Sequence, residues 1–133
     1  MASVEVRPLG DGQTRVTHGR SGSSFETDSS PEWGGGGRSF SATDLVAAGL
    51  GACIGSSIAT PLERRGVDLS GVRVSVDKTV GTDPKRIEHL AVTIEVPVAE
   101  DPSLERVLHK VSGLCPVGRS LDCTESVQVV FSG

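Results

Sequence analysis

The chain has 133 residues, of which 23% are charged and 36% hydrophobic, and this length and composition predict one globular domain over residues 1–133. A net charge of −4 argues against a protein that binds nucleic-acid phosphates. Three phenylalanines, one tryptophan and no tyrosine argue against a surface that stacks single-stranded bases. Three cysteines, an odd number, and no visible secretory signal predict free thiols in the cytoplasm.

The first 28 residues predict a meander of antiparallel strands, because short alternating runs are separated by turns rich in glycine. We expect these strands at residues 4–7, 14–17 and 24–27. Residues 29–38 contain a proline and four consecutive glycines, and they predict a flexible loop that lets the backbone pass close to the core.

A long uncharged segment follows, from Leu45 to Leu62, in which small residues dominate. Ser41, with Asp44 three residues later, predicts the capping box that begins a helix here. A helix that is apolar on all sides lies in a core or in a membrane. The shortage of large apolar side chains and Pro61 near the end favour the core. We therefore expect a buried helix with another backbone packed close to it and no membrane span.

The second half of the chain predicts strands and helices in mixed order, which is typical of an α+β fold. Alternating residues indicate strands with one buried face, and capping residues indicate where the helices begin. The predicted elements are strands at residues 72–78 and 90–96 joined by a turn, a helix from Asp101 to Gly113, a short helix from Cys115 and a strand at residues 126–131.

Two of the three cysteines are candidates for redox chemistry. Cys53 lies in the middle of the apolar helix, where a cysteine is more often a small buried side chain than a nucleophile. Cys115 lies at the predicted start of a helix, a position that stabilises a thiolate. No CxxC motif is present, and spacing alone does not show that the two thiols meet. Cys123 has no motif around it and is interpreted as a packing residue.

Other chemistries lack a motif in this sequence. The three histidines and three cysteines do not have the close paired spacing of zinc sites, so no metal site is predicted. The run of four glycines is not followed by the Gly-Lys-Ser/Thr of a phosphate-binding loop. A nucleophilic serine in a Gly-x-Ser-x-Gly motif is also missing.

The segments around Cys53 and Cys115 resemble one known family. Residues 40–53, FSATDLVAAGLGAC, resemble the first-cysteine helix of the OsmC/Ohr family, the osmotically inducible and organic hydroperoxide resistance proteins. Residues 114–121, LCPVGRSL, resemble the second-cysteine motif of that family. The separation of 62 residues between the cysteines and the order of elements are also similar, so the resemblance covers nearly the whole chain.

The resemblance implies an OsmC-like α+β fold, in which a strand meander and further antiparallel strands pack around two central cysteine-bearing helices in an intertwined homodimer. It also implies a thiol peroxidase that needs no metal and no organic cofactor. By this resemblance, Cys53 would attack an organic hydroperoxide and become a sulfenic acid, and Cys115 would condense with it to a disulfide. An external dithiol would then reduce the disulfide.

The family also places an arginine beside its first cysteine, and Arg20 matches that position. A desolvated mid-helix cysteine needs such a cation to form a thiolate. Arg38, just before the helix, is the substitute. The family carries a glutamate ten residues before its first cysteine, where this sequence has Thr43 followed by Asp44. Arg38 and Asp44 are therefore candidates for positioning the substrate, and the alternative function is an OsmC-like binding module or thiol redox sensor with little peroxidase activity.

Overall fold

The structure, a computed structural model, describes residues 2–133, which form two compact units that meet in sequence between Leu45 and Val46. The first unit holds a three-stranded sheet, a loop and the first residues of a long helix. The second unit holds the rest of that helix, a second three-stranded sheet and two shorter helices. A single domain over residues 1–133 stays a prediction.

The first sheet is the predicted meander. Its antiparallel strands are β1 (Val4–Gly10), β2 (Gln13–His18) and β3 (Ser24–Asp28), in the spatial order β1-β2-β3. The turn between β1 and β2 places Asp11 and Gly12 at φ angles of 54° and 78°, the left-handed region that suits these two residue types. Because this turn is so tight, β1 and β2 extend beyond the predicted ranges.

The glycine-rich loop that follows β3 is hydrogen-bonded along its length rather than free. The Gly37 N–H donates to the carbonyl of Ser29 at 3.0 Å, and a 3-10 turn that the sequence did not predict forms at Pro31–Trp33. A Cβ atom on Gly35 would overlap the carbonyl oxygen of Ser29. The close approach of backbone is thus made within the loop itself, and only glycine fits at Gly35. The predicted passage close to the core stays a prediction.

The long helix α1 (Ala42–Arg64) begins with the predicted capping box. The hydroxyl of Ser41 accepts the Asp44 N–H at 3.1 Å, and the carboxylate of Asp44 accepts the Ser41 N–H at 2.9 Å. These two bonds satisfy backbone donors that have no partner inside the helix. Pro61 is accommodated inside the last turns of the helix.

One face of α1 is buried, and the other is exposed. Its length and hydropathy would suffice to cross a membrane, but its buried side chains form a stripe at helical spacing. That stripe consists of Ala47, Leu50, Ile54, Ile58 and Leu62. The opposite face exposes small residues at four-residue intervals, namely Ala48, Ala52, Ser56 and Thr60. The predicted core helix is therefore present, and within this chain one sheet and one helix cover a single face of it.

The second sheet contains β4 (Arg73–Thr82), β5 (Lys85–Val96) and β6 (Thr124–Phe131), in the order β4-β5-β6. β4 and β5 form the predicted antiparallel hairpin. β6 pairs with β5 in parallel, which corrects the expectation that the further strands are antiparallel. A parallel neighbour needs a long crossover, and the connection from β5 to β6 contains two helices.

The core of the second unit lies between α1, the second sheet and helix α2 (Pro102–Gly113). Alternate residues of β5 are buried, and α2 adds two leucines from its own buried face. The side chain of Asp101 accepts the N–H groups of Ser103 and Leu104 and caps α2 as predicted. The core residues from these two elements are Leu90, Val92, Ile94, Val96, Leu104 and Leu108.

Candidate thiol site

Cys53 lies in the middle of α1, at the edge of the buried stripe. The next residue, Ile54, belongs to the core, and one residue along a helix is a rotation of about 100°. Cys53 is therefore half-buried rather than enclosed. The hydroxyls of Ser56 and Ser57 both donate to the Cys53 carbonyl, at 3.1 and 2.8 Å.

Cys115 is buried, with 3% of its surface exposed, at the junction between α2 and the short helix α3 (Pro116–Ser120). Its N–H donates to the carbonyl of Ser112 at 3.3 Å, and its carbonyl accepts the N–H of Arg119 at 3.0 Å. Pro116 follows as the first residue of α3, a position that suits its fixed φ. The backbone is thus fixed on both sides of the Cys115 thiol.

The two thiols are neighbours, although 62 residues separate them in the sequence. Burial raises the pKa of Cys115 above the ordinary value of 9.0, and Cys53 raises the pKa further through a hydrogen bond and its charge. The two side chains therefore lie close enough to interact. The backbone N–H groups of Gly118 and Val117 lower the same pKa, because they stabilise a thiolate at Cys115.

The buried thiol of Cys115 therefore stays protonated to a higher pH than an ordinary cysteine. The thiolate is the nucleophilic form of cysteine. All three cysteines are free, and the interaction between the side chains of Cys53 and Cys115 makes these two the candidates for a disulfide.

Arg20 lies in the turn between β2 and β3 and is exposed to solvent. The Ser21 N–H donates to Nδ1 of His18 at 3.3 Å, and this bond helps to shape the turn. Within residues 2–133, the Arg20 side chain makes no ion pair or side-chain hydrogen bond. Arg20 belongs to the first unit and the thiols to the second, and its role beside Cys53 stays a prediction.

Arg38 is held by Asp28, a residue that the sequence analysis missed. The carboxylate of Asp28 accepts the Gly36 N–H at 2.9 Å, the Arg38 N–H at 3.2 Å and Nε of Arg38 at 3.1 Å. The Gly36 N–H and the Arg38 guanidinium hold the pKa of Asp28 below its ordinary value, although burial opposes them. The Asp28 side chain is 4% exposed and that of Arg38 is 71% exposed. One side of the guanidinium is therefore fixed, and the rest faces solvent.

Asp44 already has a structural role as the helix cap described above. The hydroxyl of its neighbour Thr43 lies 3.2 Å from the hydroxyl of Ser41, so Thr43 also belongs to the helix start. Thr43 stands where the resemblance placed a glutamate, and it brings no charge. A role for Asp44 in positioning substrate stays a prediction.

Cys123 is half-buried just before β6 and packs against the core, and no motif or partner residue distinguishes it. Across residues 2–133, no group of three His, Cys, Asp or Glu side chains is arranged to hold a metal ion.

The family model described as "OsmC-like protein" matches residues 34–130, which is most of the chain and includes both Cys53 and Cys115. The chain belongs to the OsmC-like protein family. Among curated proteins, none matches this sequence.

Solved structures of similar fold span the whole length of this OsmC-like chain. A provisionally named osmotic stress induced and detoxification response protein from Psychrobacter arcticus is 26% identical, with a TM-score of 0.86 over 98% of this chain and 96% of that chain. An organic hydroperoxide resistance protein OsmC from Legionella pneumophila is 18% identical, with a TM-score of 0.72 over 100% and 98%. An organic hydroperoxide resistance protein from Elizabethkingia anophelis is 16% identical, with a TM-score of 0.70 over 100% and 97%. The last two likenesses show the fold alone.

The raised pKa of Cys115 predicts that the reduced protein loses stability at alkaline pH. The unfolded thiol ionises at the ordinary value of 9.0, whereas the folded thiol stays protonated to higher pH. Ionisation therefore favours the unfolded state as pH rises above 9, until the folded thiol ionises too. Urea unfolding under reducing conditions, between about pH 7 and pH 10, measures this decline. In Cys115→Ser this decline in stability with pH should be smaller, whereas in Cys123→Ser it should match that of the wild type. An unchanged decline in Cys115→Ser would contradict the assignment of the raised pKa to Cys115.

Removal of the Asp28 carboxylate should free the loop that carries Arg38. In Asp28→Asn, we expect trypsin to cleave after Arg38 several-fold faster than in the wild type, because an amide cannot accept three hydrogen bonds as well as a carboxylate. Mass spectrometry of timed digests measures the rate. Glu26→Gln is the matched control, since Glu26 pairs with Arg15 on the exposed strand surface. Equal cleavage after Arg38 in both variants would show that Asp28 does not hold the loop.

Proposed function

We propose that this OsmC-like protein is a thiol peroxidase that reduces organic hydroperoxides with Cys53 and Cys115. The observation that supports this most directly is the pairing of a half-buried thiol with a buried, protonated one in a chain with three free cysteines. The chain belongs to the OsmC-like family, and two solved structures of similar fold are named organic hydroperoxide resistance proteins. Both findings support the proposed peroxidase function.

The proposed reaction has two steps in the protein. The Cys53 thiolate attacks the outer oxygen of the hydroperoxide, the O–O bond breaks, and Cys53 becomes a sulfenic acid while an alcohol leaves. Cys115 then attacks the sulfenic sulfur, water leaves, and a Cys53–Cys115 disulfide forms. An external dithiol returns two electrons and restores both thiols, in keeping with the reducing environment of the cytoplasm. No metal or organic cofactor takes part.

The surroundings of Cys53 favour an organic substrate over hydrogen peroxide. Gly49 lies one helical turn before Cys53, and no side chain fills the space over Gly49. An alkyl or aryl group gains free energy by leaving water for such a surface, and a hydroperoxide without that group gains none.

A cation beside Cys53 is part of the proposal, because a thiolate in apolar surroundings needs compensating charge. Arg20 is the first candidate, since its guanidinium has no other partner within residues 2–133. Arg38 is the second, although its Nε already binds Asp28. In this proposal Asp44 would orient the guanidinium while its carboxylate continues to accept the Ser41 N–H at the helix cap.

A homodimer would cover apolar surface that the chain by itself leaves exposed. The small residues on the open face of α1 would allow close approach of a second helix, and β1 is an edge strand with exposed Val4 and Val6. In the first unit, Phe25 and Phe40 form an edge-to-face pair with centroids 6.4 Å apart, and both are about half exposed. Trp33 is exposed to a similar degree.

The peroxidase is tested by adding one equivalent of cumene hydroperoxide to the reduced protein. We expect rapid loss of the two thiols Cys53 and Cys115 and a mass lower by two hydrogens, with a slower reaction for hydrogen peroxide. Intact mass and peptide mapping measure both. Cys53→Ser should lose all turnover, and Cys123→Ser, the matched control, should keep it. Three unreacted thiols in the wild type would instead favour a binding module, and oxidation without catalytic turnover would favour a thiol redox sensor.

The dimer is tested by sedimentation velocity. We expect the wild type at twice the 13.8 kDa mass of one chain. Ala52→Glu should shift it toward the monomer, because a charge on the open face of α1 would have to be buried between two helices. Ser103→Glu is the matched control, since it adds the same charge at the exposed start of α2. A wild-type monomer, or a dimer that tolerates Ala52→Glu, would rule out α1 as the interface.

A further inference from the structure

A histidine on the second sheet lies between two hydroxyl groups. Nε2 of His89 is 3.0 Å from the hydroxyl of Ser126, and Nδ1 is 2.6 Å from the hydroxyl of Thr124. His89 belongs to β5, and the two hydroxyl residues belong to β6. Since β6 turns Val127 and Val129 toward the core, Thr124 and Ser126 lie on the opposite face of the sheet, where both are exposed. The cluster therefore faces solvent.

The hydrogen-bond partners fix which nitrogen of His89 carries the proton. The hydroxyl of Thr124 donates to the carbonyl of Glu88 at 3.2 Å, and a carbonyl oxygen can only accept. Because Thr124 has a single hydroxyl hydrogen, its oxygen accepts the hydrogen bond from Nδ1 of His89. In the neutral ring, Nε2 is then without a proton and accepts the hydrogen bond of the Ser126 hydroxyl. The neutral ring satisfies all three contacts at once only in this arrangement.

These three side chains have the relations of an activated serine. A nucleophilic hydroxyl needs a base within hydrogen-bond reach and a third group that orients the base. Ser126 has the place of the nucleophile, His89 that of the base and Thr124 that of the orienting group. Such a constellation is recognised by geometry and not by its order in the sequence, so the missing Gly-x-Ser-x-Gly motif does not exclude it.

The neighbours of Ser126 on the sheet suit a short uncharged acyl group. Its register partner on β5 is Ala91, whose methyl group leaves room beside the Ser126 hydroxyl. Gln128 follows on the same face of β6, about 7 Å along the strand, and its side-chain amide can donate a hydrogen bond to a developing oxyanion. Asp77 is the partner of Ala91 on β4, so its carboxylate would repel an anionic substrate.

We propose that Ser126, His89 and Thr124 form an acyl-transfer site that hydrolyses short uncharged esters, an activity independent of the thiols. The Ser126 oxygen attacks the ester carbonyl, and Nε2 of His89 takes the hydroxyl proton. His89 gives this proton to the leaving alkoxide as the ester C–O bond breaks, and acyl-Ser126 remains. Water then attacks the acyl group and gives a proton to His89, which returns it to the Ser126 oxygen as a carboxylic acid leaves.

Diisopropyl fluorophosphate, a probe of activated serines, tests the nucleophile and its base. We expect it to label Ser126 in the reduced wild type, and His89→Gln should slow this labelling by about 100-fold or more, because the base is lost. Ser75 is the matched control and should stay unlabelled, since it is exposed on β4 and its register partner is Thr93 rather than a histidine. Peptide mapping of timed samples by mass spectrometry measures the rates. An unlabelled Ser126, equal labelling of Ser75, or a rate unchanged in His89→Gln would overturn the proposal.

Two variants of Thr124 test its positioning role. Thr124→Ser keeps the hydroxyl and should keep the labelling rate of Ser126. Thr124→Val removes the acceptor of Nδ1 and should slow the labelling several-fold, because the ring of His89 is then no longer held in the required tautomer. Equal rates in the two variants would show that Thr124 does not orient His89.

Turnover of p-nitrophenyl acetate tests the hydrolysis itself. Because thiols also react with this ester, the wild type is compared with Ser126→Ala, in which all three cysteines are unchanged. We expect the wild type to release p-nitrophenol faster over many turnovers, and equal rates would overturn the proposal. The thiols of Ser126→Ala should respond to cumene hydroperoxide as those of the wild type do, and a different response would overturn the independence of this site from the thiols.

Discussion

The packing of one face of α1 against the second sheet is the contact on which the thiol site depends. The buried stripe from Ala47 to Leu62 fixes how the helix is rotated about its axis, because a turn of one residue would take Ile54 and Ile58 out of the core. That rotation sets Cys53 at the edge of the stripe. The same core holds Leu108 of α2, which positions the junction where Cys115 lies. The packing of the core therefore determines the positions of both Cys53 and Cys115.

The two thiols acquire different chemistry from small differences in surroundings. Cys115 is buried and its pKa is raised, mainly by that burial, while Cys53 is half-buried beside an open helix face. The backbone N–H groups of Gly118 and Val117 stabilise the thiolate form of Cys115 and so lower its pKa.

Capping and alternation patterns in the sequence predicted local structure well. Contacts between residues distant in the sequence could be predicted only from the resemblance to a known family. The capping box of α1 and the Asp101 cap of α2 are confirmed, because each depends on residues within one turn. The meeting of Cys53 with Cys115 depends on the whole core, so spacing could not show it. Alternation identified β6 as a strand but carries no information about its direction. Asp28 was missed because its partners are mainly backbone N–H groups of a loop, for which side chains give no pattern.

The parallel pairing of β6 with β5 sets the order in which the chain can assemble its site. β4 and β5 form a hairpin of local contacts, whereas His89 pairs with Thr124 only after the intervening helices have closed a long loop. Cys115 lies inside that loop, so it reaches its final position only when contacts between distant residues form. Such contacts form slowly during folding. A growing chain therefore contains Cys53 well before Cys115 has been synthesised. The two thiols become neighbours only when contacts between residues distant in the sequence have formed.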